Sequence, residues 1–552
     1  AMCVLLPGVS HAAPDGSGNI PIATSPLFLS YSAEPNIMFI QDDSGSMHWE
    51  VMPDSYNYAY FVIPRVNDVY DSNDFANTVP VFDDTKGYSV GMRSSDVNAI
   101  YYNPEITYTP WAKFDGQLYD DASPTAAYYN PERTWVGTID LTNTNTMSAQ
   151  WRSCDKPPTL GGTCTSAWSS ETFYPSVYYR YDGDGDIWDP GNFEEVVIKN
   201  DAGETYSDDD GLTDRSGRDD CAAATSCTGI EEMQNFANWF TYYRSRVLLG
   251  RAGVGRAFSE QGTNLRVGFG AINSGTRTVD GASFDTIIDG VRKFEGGDRE
   301  DWFDRLYEYE IWGSTPLRTA LKDAGLYYSR QNSTQSAWDE TPGDNSDATN
   351  EIACRQSYTI LMSDGFWNGG SPSVGNVDNT NGSSITNPNG VDYSYVAEPP
   401  YKDAHSDTLA DVAMYFWNRD LNTVVDNKVP QNPLDEAYWQ HMVTFTVGLG
   451  VIGTLDYTDP DVLQDLIDGT ESWPAPSNNS QNNIDDMWHA AINGRGDFFS
   501  AADPGEVAQA LTDTLTNIAV RTGSAAAVAT NSTRISSETR IYQARFISRN
   551  WT

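Results

Sequence analysis

Basic residues are scarce in this chain of 552 residues: 34 Lys and Arg stand against 77 Asp and Glu, a formal charge of −43. A surface of that sign repels nucleic acid and anionic lipid headgroups, so both are poor partners and no nucleic acid is expected, and it attracts cations and basic patches. Only five histidines occur, at 11, 48, 405, 441 and 489, and their spacing forms no ligand pair. Uninterrupted apolar runs of about 18 residues are missing, so no membrane-spanning helix is expected. The Gly-x-Ser-x-Gly elbow, His-Glu-x-x-His and the Gly-Lys-Ser/Thr phosphate loop are all absent, which argues against the common hydrolase and nucleotide-binding readings.

Cysteine is also sparse, with six in all. Cys154 with Cys164, and Cys221 with Cys227, are close enough in sequence to close short loops, as in an oxidising compartment. Cys3 lies near the start, and Cys354 is left over and read as a buried thiol. Neither Cys-x₅-Cys nor Cys-x₉-Cys is a zinc pattern.

Aromatic residues, by contrast, make up 12% of the chain, including 31 Tyr. A disordered acidic chain would not carry so many, so a folded protein is expected. The length suggests roughly two to four domains. Residues 1–13 read as the remnant of a secretory signal, apolar and then small up to Ala12 and Ala13. The chain is therefore expected to be secreted, and to lack the beginning of its leader.

The most informative segment is residues 36–47, an apolar run that stops at Asp42-x-Ser44-x-Ser46. It reads as a buried strand carrying a carboxylate and two spaced hydroxyls to a sheet edge. Oxygen donors of this kind suit Mg²⁺ or Ca²⁺. Two later segments are of the same kind. Gly313-Ser314-Thr315-Pro316-Leu317 puts a hydroxyl at the start of a helix. Residues 357–365 form a second apolar strand ending in Asp364-Gly365.

Asp-x-Ser-x-Ser, then Thr, then Ser-Asp-Gly resembles the metal-ion-dependent adhesion site of von Willebrand factor A domains. The resemblance implies a Rossmann-like, doubly wound α/β sheet, mostly parallel, with a divalent ion at the carboxyl ends of its strands. The implied ligands are Asp42, Ser44, Ser46, Thr315 and Asp364. The implied ion is Mg²⁺, or else Ca²⁺ or Mn²⁺, and it would bind a carboxylate of a partner without turnover. A vestigial site, with the fold kept and the metal lost, is the competing reading.

The pass along the chain places the first part of this A domain at 14–47. Residues 48–229 are an aromatic-rich insertion, mostly irregular and β. Tyr-Tyr-Asn-Pro-Glu occurs in it twice, at 101–105 and 128–132, as strand-to-turn junctions. The remainder of the A domain spans 230–522. Thr228-x-x-Glu231 is a capping box, and Phe236, Phe240, Tyr243, Val247, Val254 and Phe258 then share one helical face. A strand at 264–272, a helix at 299–310 and a helix opened by Thr315-Pro316 follow. After the Asp364 strand comes a loop insertion at 367–400. A helix at 409–417, a strand at 441–450 and a helix capped by Asp503 complete the alternation, which implies helices on both faces of a parallel sheet. Residues 523–552 are a linker and one strand, Arg540–Trp551, with nothing to pair with, so the natural protein is expected to continue.

Segments beyond the metal site resemble the PilY/PilC family of type IV pilus tip-associated adhesins along essentially the whole chain. They include residues 35–47, Ile100-Tyr-Tyr-Asn-Pro104 with Tyr108-Thr-Pro-Trp111, residues 233–246, residues 409–421, residues 494–504 and Tyr542-Gln-Ala-Arg-Phe546. In that family an A-type domain precedes a C-terminal β-propeller, so the last strand would be the first of a truncated propeller. The resemblance implies a non-enzymatic, secreted protein at the pilus tip. It would support pilus assembly with minor pilins, oppose retraction and contact host cells or surfaces. The aromatic insertion would be a recognition surface, or else a local core. Two alternatives are a mechanical spacer built around a purely structural metal, and an A-domain subunit of a metal-dependent enzyme complex.

Two further signals compete with solvated turns. Asp182, Asp184 and Asp186 have the rhythm of a calcium loop, but lack the Gly and Glu of an EF-hand. Arg495-Gly496-Asp497 matches an integrin-recognition tripeptide, and chance accounts for it.

Overall fold

The computed structural model describes residues 33–70, 75–208, 211–344, 349–501, 504–524, 529–530 and 541–542. The signal remnant, Asp503 and most of the terminal linker lie outside them.

Six strands form the central sheet: β1 (Asn36–Gln41), β2 (Arg266–Ala271), β3 (Ile287–Lys293), β4 (Ser357–Ser363), β5 (Val443–Leu449) and β6 (Arg495–Ala501). Their order is β3-β2-β1-β4-β5-β6. All neighbours run parallel except β3, which pairs antiparallel with β2 at one edge. The inner strands are buried along their whole length, as expected where helices cover both faces. Ile37 and Phe39 point to one face, and Met38 and Ile40 to the other.

Helices α1 (Gly229–Tyr242), α2 (Arg246–Ser259), α3 (Gly296–Glu308) and α8 (Pro504–Ser524) supply the core on the first face. Helices α4 (Leu317–Tyr328), α5 (Leu409–Trp417) and α7 (Asn482–Asn493) supply the second. A more exposed helix, α6 (Pro460–Asp468), buries Leu466 in that core and packs Val462 against its edge.

The first core runs on into residues 48–229. Trp111 stacks on Tyr307 with ring centroids 4.6 Å apart, and Tyr101 packs on Trp239 at 4.8 Å. Much of the aromatic complement of this segment is thus internal, each large ring contributing about 1.5–3 kcal/mol by its burial. Both Tyr-Tyr-Asn-Pro-Glu copies make the same turn. Asn103 Oδ1 accepts from Glu105 N at 2.9 Å, and Asn130 Oδ1 from Glu132 N at 3.0 Å.

Several expectations need correction. The helical face traced from Phe236 to Phe258 is two helices, not one. Thr228 and Glu231 do form the capping box of α1. A second start follows at Ser245, whose side chain accepts from Leu248 N, and the flanking Arg244 and Arg246 turn to separate buried acids. Pro316 sits at the N-cap of α4, one position before the first turn. The pairs Cys154–Cys164 and Cys221–Cys227 are disulfides. Cys354 is disulfide-bonded too, and only half-buried, not a buried thiol. Ile541–Tyr542 is not a lone strand, since it pairs antiparallel with Ala529–Thr530.

Many of the scarce arginines are internal. Arg93, Arg215, Arg244, Arg246, Arg251 and Arg266 rank among the largest fully buried side chains. Backbone carbonyls take up much of their hydrogen bonding: Arg93, for example, donates to the carbonyls of Val81, Val62 and Pro80.

Candidate functional site

The strand order reverses between β1 and β4, the place where doubly wound sheets open a crevice at their carboxyl ends. Asp42 follows β1 and Asp364 follows β4, so the two acids flank that crevice. Asp42 N donates to the Met362 carbonyl at 2.9 Å, which extends the pairing by one residue. Both carboxylates are buried.

The chain then turns sharply into a 3₁₀ turn, Gly45–His48. Asp42 Oδ1 accepts from Ser44 N at 2.7 Å, and Asp42 Oδ2 accepts from Ser363 Oγ at 2.5 Å. The Ser44 and Ser46 hydroxyls are 3.1 Å apart. Burial, and then the Asp364 charge, push Asp42 up to about 7, against the hydrogen bonds from Ser363 and Ser44. Asp43 is also raised, by burial and by Asp42.

The loop before α4 is laid along this turn by backbone contacts. Gly45 N donates to Gly313 O at 3.2 Å, and Trp312 N donates to Asp43 O at 2.7 Å. Asn273, just beyond β2, ties the pieces together: its Nδ2 donates to Ser314 O at 2.6 Å, and its backbone N–H to Asp43 Oδ1 at 2.9 Å. Thr315 is buried beside the turn, with its N–H on Asn368 Oδ1 at 3.0 Å. Its hydroxyl makes no hydrogen bond to the other four residues among the described contacts. His48 Nε2 donates to Ile311 O at 3.0 Å. Burial and Arg65 lower this imidazole to about 3, so it is neutral.

Sequence reasoning missed Arg246. Its Nη1 contacts Asp364 Oδ2 at 2.9 Å, and its Nη2 reaches Asp54 and the Val51 carbonyl. It lies 118 positions from Asp364 in sequence, with no local pattern to link the two. Asp364 Oδ1 is buried and has no hydrogen-bond partner. An all-oxygen set of two facing carboxylates and two hydroxyls, with one carboxylate oxygen orphaned, suits a hard divalent cation. Arg246 offsets part of the negative charge.

The other sequence candidates fall elsewhere. Asp182, Asp184 and Asp186 are exposed. Asp182 and Asp186 each accept a backbone N–H two residues on, as acidic turns do. Arg495 is folded over the Trp417 and Tyr401 rings at 3.6 and 3.9 Å, so the Arg-Gly-Asp tripeptide is not displayed. One histidine does join a ligand-type group, contrary to the reading from spacing: His489 converges with Asp378 and Asp403.

No family model matches the chain. It is 31% identical over 532 residues to the type IV pilus biogenesis factor PilY1 of Pseudomonas aeruginosa strain PAK, covering 90% of this chain and 39% of that protein. PilY1 of strain UCBPP-PA14 is 29% identical over 528 residues, covering 91% and 39%. The chain thus spans about two-fifths of the length of these relatives. SpaC, a pilus adhesin of Lactobacillus rhamnosus GG, matches at 10% identity over 50% of this chain and 28% of its own, with a TM-score of 0.22, which carries no argument. The chain is a homologue of the PilY1 pilus biogenesis factors along nine-tenths of its length.

Proposed function

We propose that this homologue of PilY1 serves type IV pilus biogenesis and adhesion through a von Willebrand factor A-like domain. In this reading Asp42, Ser44, Ser46, Thr315 and Asp364 hold a divalent cation, Mg²⁺ first among the choices. Such an ion offers a vacant position to a carboxylate of a surface or host receptor. Asp42 and Asp364 supply the charge, the serines and Thr315 supply neutral oxygens, and Arg246 orients the Asp364 carboxylate. The protein is secreted and works at the cell surface with minor pilins, as a binding module and not an enzyme. The observation that carries the reading is the meeting of two buried acids at the switch point of the sheet, with one oxygen left unpaired. The spacer reading with a structural ion draws on the same burial.

The test is calorimetric titration of Mg²⁺ and Mn²⁺ into the wild-type protein and Asp42→Ala, alongside surface attachment of piliated cells carrying each form. Ion binding and attachment that fall together, at an unchanged melting temperature, fit the adhesion site. Unfolding on chelation fits the spacer. Unchanged attachment in Asp42→Ala refutes the adhesion-site mechanism.

A further inference from the structure

A second group of metal-type side chains lies under the 367–400 loop and shares no residue with the switch-point site. Asp378, Asp403 and His489 each bring one ligand atom to within 4.8 Å of the others. Their side chains are 0%, 5% and 1% exposed. No Lys or Arg forms an ion pair with either acid among the described residues; the imidazole is paired with both, and Asp411 and Asp486 add further negative charge nearby. Burying two carboxylates against one imidazole is costly without a further cation.

The geometry narrows what that cation is. His489 Nε2 is 2.7 Å from the Tyr401 carbonyl, which can only accept, so this nitrogen carries a proton. A metal-bound histidine commonly commits its second nitrogen in this way. Nδ1 is left facing Asp403 Oδ2 at 3.6 Å, and Asp378 Oδ2 lies 3.8 Å from the ring at Nε2. These gaps are too long for hydrogen bonds. The Asp403–Nδ1 gap is close to the edge of a ligand tetrahedron with bonds of about 2.1 Å, roughly 3.4 Å, while Asp378, on the Nε2 side of the ring, completes the group within 4.8 Å. Trp473 stacks on the imidazole at 4.2 Å and fixes its plane.

Asn493 gives the independent sign. It lies one helical turn beyond His489 on α7 and is fully buried. Its Nδ2 rests on Asp378 Oδ2 at 3.1 Å, while its Oδ1 has no partner. Turning the amide over, at the loss of its 3.3 Å hydrogen bond to the Ala410 carbonyl, would bring that orphaned oxygen to the cluster as a further donor.

We propose that Asp378, Asp403 and His489, with Asn493 beside them, form a structural site for a divalent transition ion, Zn²⁺ in the first place. Mixed imidazole and carboxylate donors favour Zn²⁺ over Mg²⁺ or Ca²⁺. The ion would clamp the 367–400 loop to α7.

The test is Zn²⁺ titration of EDTA-treated protein, with thermal melting and zinc K-edge absorption on the loaded wild type. The expected results are one equivalent bound, a rise in melting temperature, and a shell of one imidazole nitrogen with oxygens. His489→Gln and Asp403→Asn should bind about tenfold or more weakly. Absence of Zn²⁺ binding, a shell without imidazole, or full binding by folded Asp403→Asn would overturn the proposal. Because the absorption spectrum needs no variant, a misfolded mutant does not spoil the test.

Discussion

Arg246 Nη1 lies 2.9 Å from Asp364 Oδ2, and both side chains are 1% exposed. The same guanidinium contacts Asp54, so the first turns of the aromatic segment and the acid at the end of β4 share one counter-charge. Trp49 lies across the group at 5.0 Å.

Removing that cation leaves two acids facing a buried space. Arg246→Ala should therefore cost about 3–5 kcal/mol of stability, as for other broken buried pairs. Mg²⁺ should recover part of the loss, because it supplies the missing charge. Urea denaturation with and without Mg²⁺ measures both effects.

Acid should act on a different pair. Asp435 accepts from His441 Nε2 at 2.8 Å and from Trp417 Nε1 at 3.1 Å. Burial raises this acid, but the His441 charge and the hydrogen bonds outweigh it and hold it at about 2, below its ordinary 3.8. A depressed carboxylate stabilises the fold fully above its unfolded value and loses that contribution as pH falls through the folded one. The shift corresponds to about 2 kcal/mol. Asp435→Asn should thus be less stable than wild type at pH 6, and the gap should close as pH falls through the range from 3.8 to about 2. Chemical denaturation across that range is the check.

Helices α4 and α5 meet at a glycine. A Cβ on Gly325 would sit 2.2 Å from the Phe416 ring. Gly325→Ala should cost about 1–3 kcal/mol by overpacking, despite the better helix propensity of alanine. A lowered denaturation midpoint with unchanged Mg²⁺ affinity is expected.

The capping box of α1 offers a smaller change. Thr228→Ala removes the acceptor for Glu231 N and should cost about 1 kcal/mol. Thermal unfolding of the variant reads it directly.

The legible parts of this molecule are those with a local signal. β1 and β4 are apolar runs, each followed directly by its acid, so Asp42 and Asp364 stand out. The α1 cap is a four-residue pattern. Helix α7 was missed because its polar residues face inward: Asn483, Asp485, Asp486, His489 and Asn493 are all buried, which hides the usual amphipathic stripe. β3 is an edge strand with an irregular register, and its sequence does not alternate cleanly. Asp378 meets Asn493 across 115 positions. Contacts of that span come from topology, which periodicity does not encode.

The withdrawal of arginine into the interior leaves solvent few basic side chains, while the acids buried with it, such as Asp42, Glu50, Asp364 and Asp378, keep the outer shell's net charge close to that of the whole chain. With Arg93, Arg215, Arg244, Arg246, Arg251 and Arg266 hidden, solvent meets a polyanion whose compensating charge is mostly ions drawn from the medium. Counter-ions condense on such a shell, so any crevice opening onto it is supplied with divalent cations above their bulk level. Ionic strength then tunes occupancy and self-repulsion together.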